Sequence, residues 1–181
     1  MRKSPSADSR VRLSPALRLL AAAVALTGAL QGCAYYSFSG ASIPEHLSSI
    51  AIPQVEDNSL STLTGLDASL TELLVDRFVQ QTRLSLEPAN DNADALLVAR
   101  ITRYQNLPTS VSGDERATRN RITITVEVNY DDQVNDETLL TRTFTGFEDY
   151  DPFDSAGEQE AARVSLEKIA DDIFTAATSN W

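Results

Sequence analysis

Cys33 is the only cysteine in a chain of 181 residues, and it stands at the end of Leu30-Gln31-Gly32-Cys33. A lone thiol makes no disulfide within its own chain. With His46 as the only histidine, a His/Cys zinc site, which takes about four ligands, is not expected either. The second group with chemical potential is a set of arginines. Residues 1–33 hold five basic residues and one acidic, leaving ten basic and 25 acidic residues beyond Cys33 and a formal charge there of −15. Five of those ten, Arg100, Arg103, Arg116, Arg119 and Arg121, lie within 22 positions. A guanidinium pairs with carboxylate or phosphate through a fixed fork of donors. The cluster therefore reads either as ion pairing within an acidic chain, or as a contact for an anionic ligand such as the phosphates of a glycolipid, or for an acidic partner surface. Arg100, Arg103, Arg119 and Arg121 are the candidate contacts.

Nothing else in the chain assembles into a reactive set. No Ser/His/Asp or Cys/His grouping can be built, and His46 reads as a surface or loop residue. The seven glycines form no phosphate-binding loop. The acidic pairs 131–132, 148–149 and 171–172 are adjacent residues, whose side chains point apart rather than share a proton. The expectation is a non-enzymatic protein without metal or cofactor. A surface this acidic repels nucleic-acid phosphate, so nucleic acid is not an expected partner. Low lysine with high Asp/Glu also suits concentrated salt, although an ordinary acidic soluble domain has the same composition.

The segments around Cys33 say how it is used. Residues 1–18 are basic and rich in Ser and Pro, and residues 19–30, LLAAAVALTGAL, are an apolar run of twelve. That is short of the ~20 residues needed to span a bilayer and has the form of a secretory signal. An aliphatic residue at −3, a small residue at −1 and then cysteine resemble the bacterial lipobox. The expected division is a lipoprotein signal peptide over 1–32, a lipidated N-terminal segment over 33–46 and a single α+β domain over 47–181. Each buried acyl methylene contributes roughly 0.8 kcal/mol, and several chains, palmitate among them, anchor stably. Ala34 after the cysteine favours the outer membrane by the sorting convention of well-studied Gram-negative bacteria. Tyr35, Tyr36 and Phe38 follow where the chain leaves the membrane interface, which suits amphipathic aromatics, and packing on the sandwich or on a barrel wall is the equal alternative.

The rest of the chain alternates between the two hydrophobic periods. Residues 47–55 read as a short strand that Pro53 confines to an edge or an end. Leu66, Leu70, Leu73, Leu74 and Phe78 recur on one face of a helix ending near Gln81, with Thr64 and Asp67 as a weak capping box. A strand follows over 93–104, then a loop over 105–118. Ile122, Ile124, Val126, Val128 and Tyr130 alternate with polar residues, the pattern of a strand with one buried face. DDQVNDE at 131–137 is turn chemistry, and 138–147 is the next strand, so 121–147 forms a hairpin. Ser155 and Glu158 suggest the capping box of a second helix, whose apolar face is Ala162, Leu166, Ile169, Ala170, Ile173, Phe174 and Ala177. The fold class is α+β: a two-layer sandwich of order β-α-β-β-β-α, a mainly antiparallel sheet packed by two amphipathic helices. Trp181 reads as helix-end packing or a partner contact.

In their order, GCAYYSFSGASIP at 32–44, LTGLDASLTELLVDRFVQQTRLSL at 63–86, RATRNRITITVEVNY at 116–130, FTGFEDYD at 144–151 and DIFTAATSNW at 172–181 resemble the LptE family of lipopolysaccharide-assembly lipoproteins, in the branch found in Bacteroidetes-like bacteria. The resemblance implies a β-α-β-β-β-α sandwich and a non-enzymatic outer-membrane lipoprotein. It also implies a partner, the LptD β-barrel, which such proteins plug and help to assemble, and contact with lipopolysaccharide moving to the outer leaflet. A different class of function is a periplasmic lipoprotein that supports or activates another envelope machine, such as a peptidoglycan synthase. A lipoprotein hydrolase lacks its nucleophile and base.

Overall fold

The computed structural model describes residues 43–109 and 119–179. The signal segment, Cys33, Tyr35, Tyr36, Phe38, Arg116 and Trp181 lie outside them. The elements are β1 (Ser49–Ala51), β2 (Glu56–Asp57), α1 (Leu66–Gln80), β3 (Ser85–Leu86), β4 (Ala95–Pro108), β5 (Asn120–Asp132), β6 (Glu137–Tyr150) and α2 (Gly157–Thr178), with one short 3-10 turn at Asn90–Asn92. This is the expected order, with two short strands added at the sheet edge.

The sheet runs β3-β1-β4-β5-β6, and β2 pairs with β4 beyond β1. The three long strands are antiparallel neighbours, with Leu97 opposite Tyr130 and Val126 opposite Phe144. The short strands are parallel to the elements they join. Pro53 falls in the gap between β1 and β2, where the ladder to β4 is interrupted. A proline has no N–H to give it.

Both helices cover one face of the sheet. The alternating set of β5, Ile122 to Tyr130, is buried, and so are Leu66, Leu70, Leu74 and Phe78 of α1 and Leu166, Ile169 and Ile173 of α2. Burying each such side chain contributes about 1.5–3 kcal/mol. Phe78 links the layers, with its ring 5.9 Å from Tyr130 and 5.4 Å, edge-on, from Phe174. Gly146 of β6 lets α2 come close. A Cβ there would collide with the Ser165 carbonyl oxygen and stand 2.8 Å from Ile169 Cγ1. The helices run side by side in the same direction, with Arg77 in the last turn of α1 bonding Asp171 of α2. Among the described residues no helix is long and apolar enough to cross a membrane.

Three local expectations change. The loop expected from residue 105 is strand as far as Pro108, because β4 stays paired with β5 out to Asn120. Ser155 does not cap α2, which starts after Ala156 with no side-chain cap. Asp151 and Asp154 shape the turn instead, accepting the N–H groups of Phe153 and Ala156, and Glu158 is drawn to the Tyr104 hydroxyl, 2.6 Å away. Thr64 likewise leaves α1 uncapped. The helix starts from Gly65 at φ 83°, a left-handed conformation that glycine takes without strain.

Candidate functional site

A β-bulge decides how the arginines are displayed. Strict alternation from Ala95, Leu97, Ala99 and Ile101 would turn Arg103 into the helix layer. The register of β4 on β5 slips between Ile101 and Arg103, and a bulge of this kind re-aims the side chains beyond it. Arg103 thereby lies opposite Thr125, on the face of the sheet that no helix covers, as do Arg100 opposite Glu127 and Arg121 opposite Leu107. Tyr104 and Asn106 take the helix side instead. There Asn106 bonds the Tyr150 hydroxyl at 2.7 Å, and Asn120 bonds Asn106 at 3.1 Å. Burial and the Glu158 carboxylate together raise the Tyr104 pKa.

The four candidate arginines share one region but not one point. Arg121 stands four register positions from Arg103 and six from Arg100, about 13 and 20 Å along a strand. Two of them are already engaged. Arg100 Nε donates to Glu56 at 2.8 Å. Arg121 grips Asp149 bidentately at 2.6 and 3.0 Å and lies 4.4 Å from the centroid of the Phe147 ring. That hydrogen bond, with the charges of Arg119 and Lys168, holds the Asp149 carboxyl below its ordinary range. Arg103 and Arg119 are exposed and form no ion pair with any described residue. Among the described residues Arg100 and Arg121 are internally paired, while Arg103 and Arg119 form no ion pair, although the Arg119 charge acts on Asp149.

Bulky apolar side chains surround this end. Leu60 on the loop before α1, Leu107 near the end of β4 and Phe153 on the loop before α2 are 98%, 56% and 75% exposed. The N-termini of both helices meet at the same end across a cleft of about 420 Å³. Its one arginine, Arg163, is bound to Glu160 and Glu167 on its own helix.

The opposite end carries the start of the described chain and is built differently. Arg83 donates to the carbonyls of Pro44, Ile43 and Leu47 at 2.5, 3.2 and 3.3 Å. Asp94 accepts the Ser48 hydroxyl and the N–H groups of Ser48 and Ser49. His46 meets the buried Asp132 at 2.5 Å, and Asp132 also accepts Val134 N, Asn135 N and Asn135 Nδ2. Burial pushes the Asp132 pKa up, but His46 and the Asn135 and Val134 donors outweigh it, so the net shift is downward. His46 is thus a surface residue with a structural bond across 86 positions of sequence. No sequence signal pairs it with Asp132. The acidic pairs point apart as expected: Glu148 bonds Lys168 while Asp149 bonds Arg121. Among the described residues no cluster of His, Cys, Asp or Glu is arranged to hold a metal.

The family model for lipopolysaccharide-assembly LptE proteins matches residues 47–177, the extent of the sandwich just described. The chain belongs to the LptE family. No curated protein matches it in sequence. Solved structures share the fold of this LptE chain at low identity. A protein from Xanthomonas campestris aligns at 12% identity with a TM-score of 0.54, over 74% of this chain and 88% of the other. A lipoprotein B from Nitrosomonas europaea aligns at 14% identity with a TM-score of 0.50, over 74% of this chain and 82% of that one.

Proposed function

We propose that this LptE-family chain is a non-enzymatic outer-membrane lipoprotein, acylated at Cys33, that plugs an LptD-type β-barrel and helps it assemble for lipopolysaccharide transport to the outer leaflet. The observation that carries the reading is the family match over the whole sandwich. The motif ending in Cys33 supports the anchor, and the lipoprotein named among the structural neighbours is consistent with it. Contact with lipid phosphate falls first to Arg103 and Arg119. Arg100 and Arg121 contribute only by exchanging a carboxylate they already hold.

Affinity purification from solubilised outer membranes tests this reading. A large β-barrel is expected to co-purify, and depletion is expected to reduce surface lipopolysaccharide. No barrel and unchanged lipopolysaccharide would sink the idea and favour another envelope machine. Cys33→Ser is expected to release the protein from membranes, and tight retention of that variant argues against acylation. In the same preparation, replacing Arg100, Arg103, Arg119 and Arg121 by Ala is expected to weaken lipid A binding while the fold is kept. Unchanged binding would leave Arg100 and Arg121 their internal pairs and would remove the lipid contact from all four.

A further inference from the structure

The outer edge of β6 is unpaired among the described residues. Among the described residues β6 pairs only with β5, and it forms the end of the sheet. Along an antiparallel strand alternate residues direct their backbone groups to opposite sides. The Thr102 hydroxyl takes the Thr125 carbonyl on the β4 side, and Lys168 takes the Phe147 carbonyl on the outer side. Thr125 lies opposite Thr145. Both observations set Thr143 and Thr145 with their N–H and C=O groups pointing outward. Lys168 covers only the Phe147 position.

A bare edge of this length is a template for pairing, and proteins usually blunt it with proline, charge or a covering loop. Between Thr138 and Phe147 the edge has no proline and one charge, Arg142. Beside it α2 forms the second wall of a groove. Two adjoining cavities of about 410 and 420 Å³ share Thr145 and Asp172 and run from Arg142 and Thr175 to Lys168. A groove between an edge strand and a helix receives an extended peptide in β-strand addition, where main-chain bonds supply affinity and wall residues supply selectivity. The wall has two charges without an ion pair among the described residues, Arg142 and Asp172. A chain laid along Thr141–Phe147 would cover about 20 Å.

We propose that this groove receives an extended segment of a partner protein, added to the sheet as a seventh strand on β6, with an acidic side chain beside Arg142 and a basic one beside Asp172. The charge pattern selects the occupant, since a purely apolar strand would leave both groups unpaired in the groove. The site touches the arginine face only at Phe147, whose ring Arg121 covers, and does not depend on which envelope machine the chain serves.

Amide hydrogen exchange on the full chain tests it, comparing the isolated protein with the assembly solubilised from native outer membranes. The Thr143 and Thr145 amides are expected to exchange at least tenfold more slowly in the assembly. Thr143→Pro removes one outward N–H without touching the β5 ladder and is expected to cut partner recovery at least tenfold, while Thr143→Ala keeps it. Unchanged exchange at both amides overturns the proposal, whatever the proline variant does to folding. So does slowing that appears in the isolated chain as its concentration rises, which assigns the edge to a second copy. Equal partner recovery by the two variants also overturns it.

Discussion

The two ends of the sandwich use charge in opposite ways. At the end where the described chain begins, charged groups are consumed. Arg83 satisfies three carbonyls, Asp94 three donors, and Asp132 a turn and a histidine. Toward the end where β4 finishes and both helices begin, Arg121 and Arg163 are paired, but Arg103 on the open face and Arg119 are exposed and form no ion pair with a described residue. The difference teaches how to tell structural charge from available charge. A group that already holds several donors or acceptors supports the fold, and one without a partner can hold something else.

The largest expected effect lies at the clamped end. Arg83→Ala leaves three carbonyls short of a charged donor and should cost about 2–3 kcal/mol, read by urea unfolding. A loss below about 0.5 kcal/mol would erase the distinction between the ends. Acid should act on the clamped end next. The Asp94 pKa is lowered, chiefly by the hydrogen bonds from Ser48, and the Asp132 pKa is lowered on balance. A carboxyl whose folded pKa lies below its unfolded value contributes stability that is fully present above the unfolded pKa, near 4, and is lost as pH falls through the folded one. Stability should therefore be flat above about pH 5 and decline below 4. Asp94→Asn with Asp132→Asn should reduce the slope of that decline, measured as unfolding free energy against pH. The smallest effect belongs to the arginine end. Arg103→Ala with Arg119→Ala should change stability by no more than about 0.5 kcal/mol, and a larger loss would mean that these two cations also support the fold.

One buried group fits neither pattern. The Tyr130 hydroxyl is fully buried and has no hydrogen-bond partner among the described residues. Burial, with the Asp132 charge nearby, pushes its pKa up to about 12. The ring's packing on Phe78 holds it there, so the apolar part of the side chain outweighs an unsatisfied hydroxyl.

Periodicity made most of this architecture legible. The alternation of Ile122 to Tyr130 and the helical faces of α1 and α2 are local patterns, and the burial of nearly every residue in them follows from geometry that repeats every two or 3.6 residues. The capping boxes were less reliable. Ser155 and Glu158 have the right spacing, but the turn at Asp151–Asp154 and the reach of Tyr104 took the place of the cap. The concentration of arginine at 100–121 is visible in the sequence, but β4 extends to Pro108, so Arg100 and Arg103 lie within the strand rather than at its end.

What the sequence by itself determined is the set of elements, their buried faces and the position of a basic cluster in an acidic chain, because each is written in neighbouring residues. The tertiary structure alone decided which arginines are ion-paired among the described residues. The slip beyond Ile101 turned Arg103 to the open face, and the strand registers brought Glu56 to Arg100, Asp149 to Arg121 and Asp132 to His46. Those partners lie 44, 28 and 86 positions apart, and no local pattern encodes a pairing that exists only once the sheet has closed.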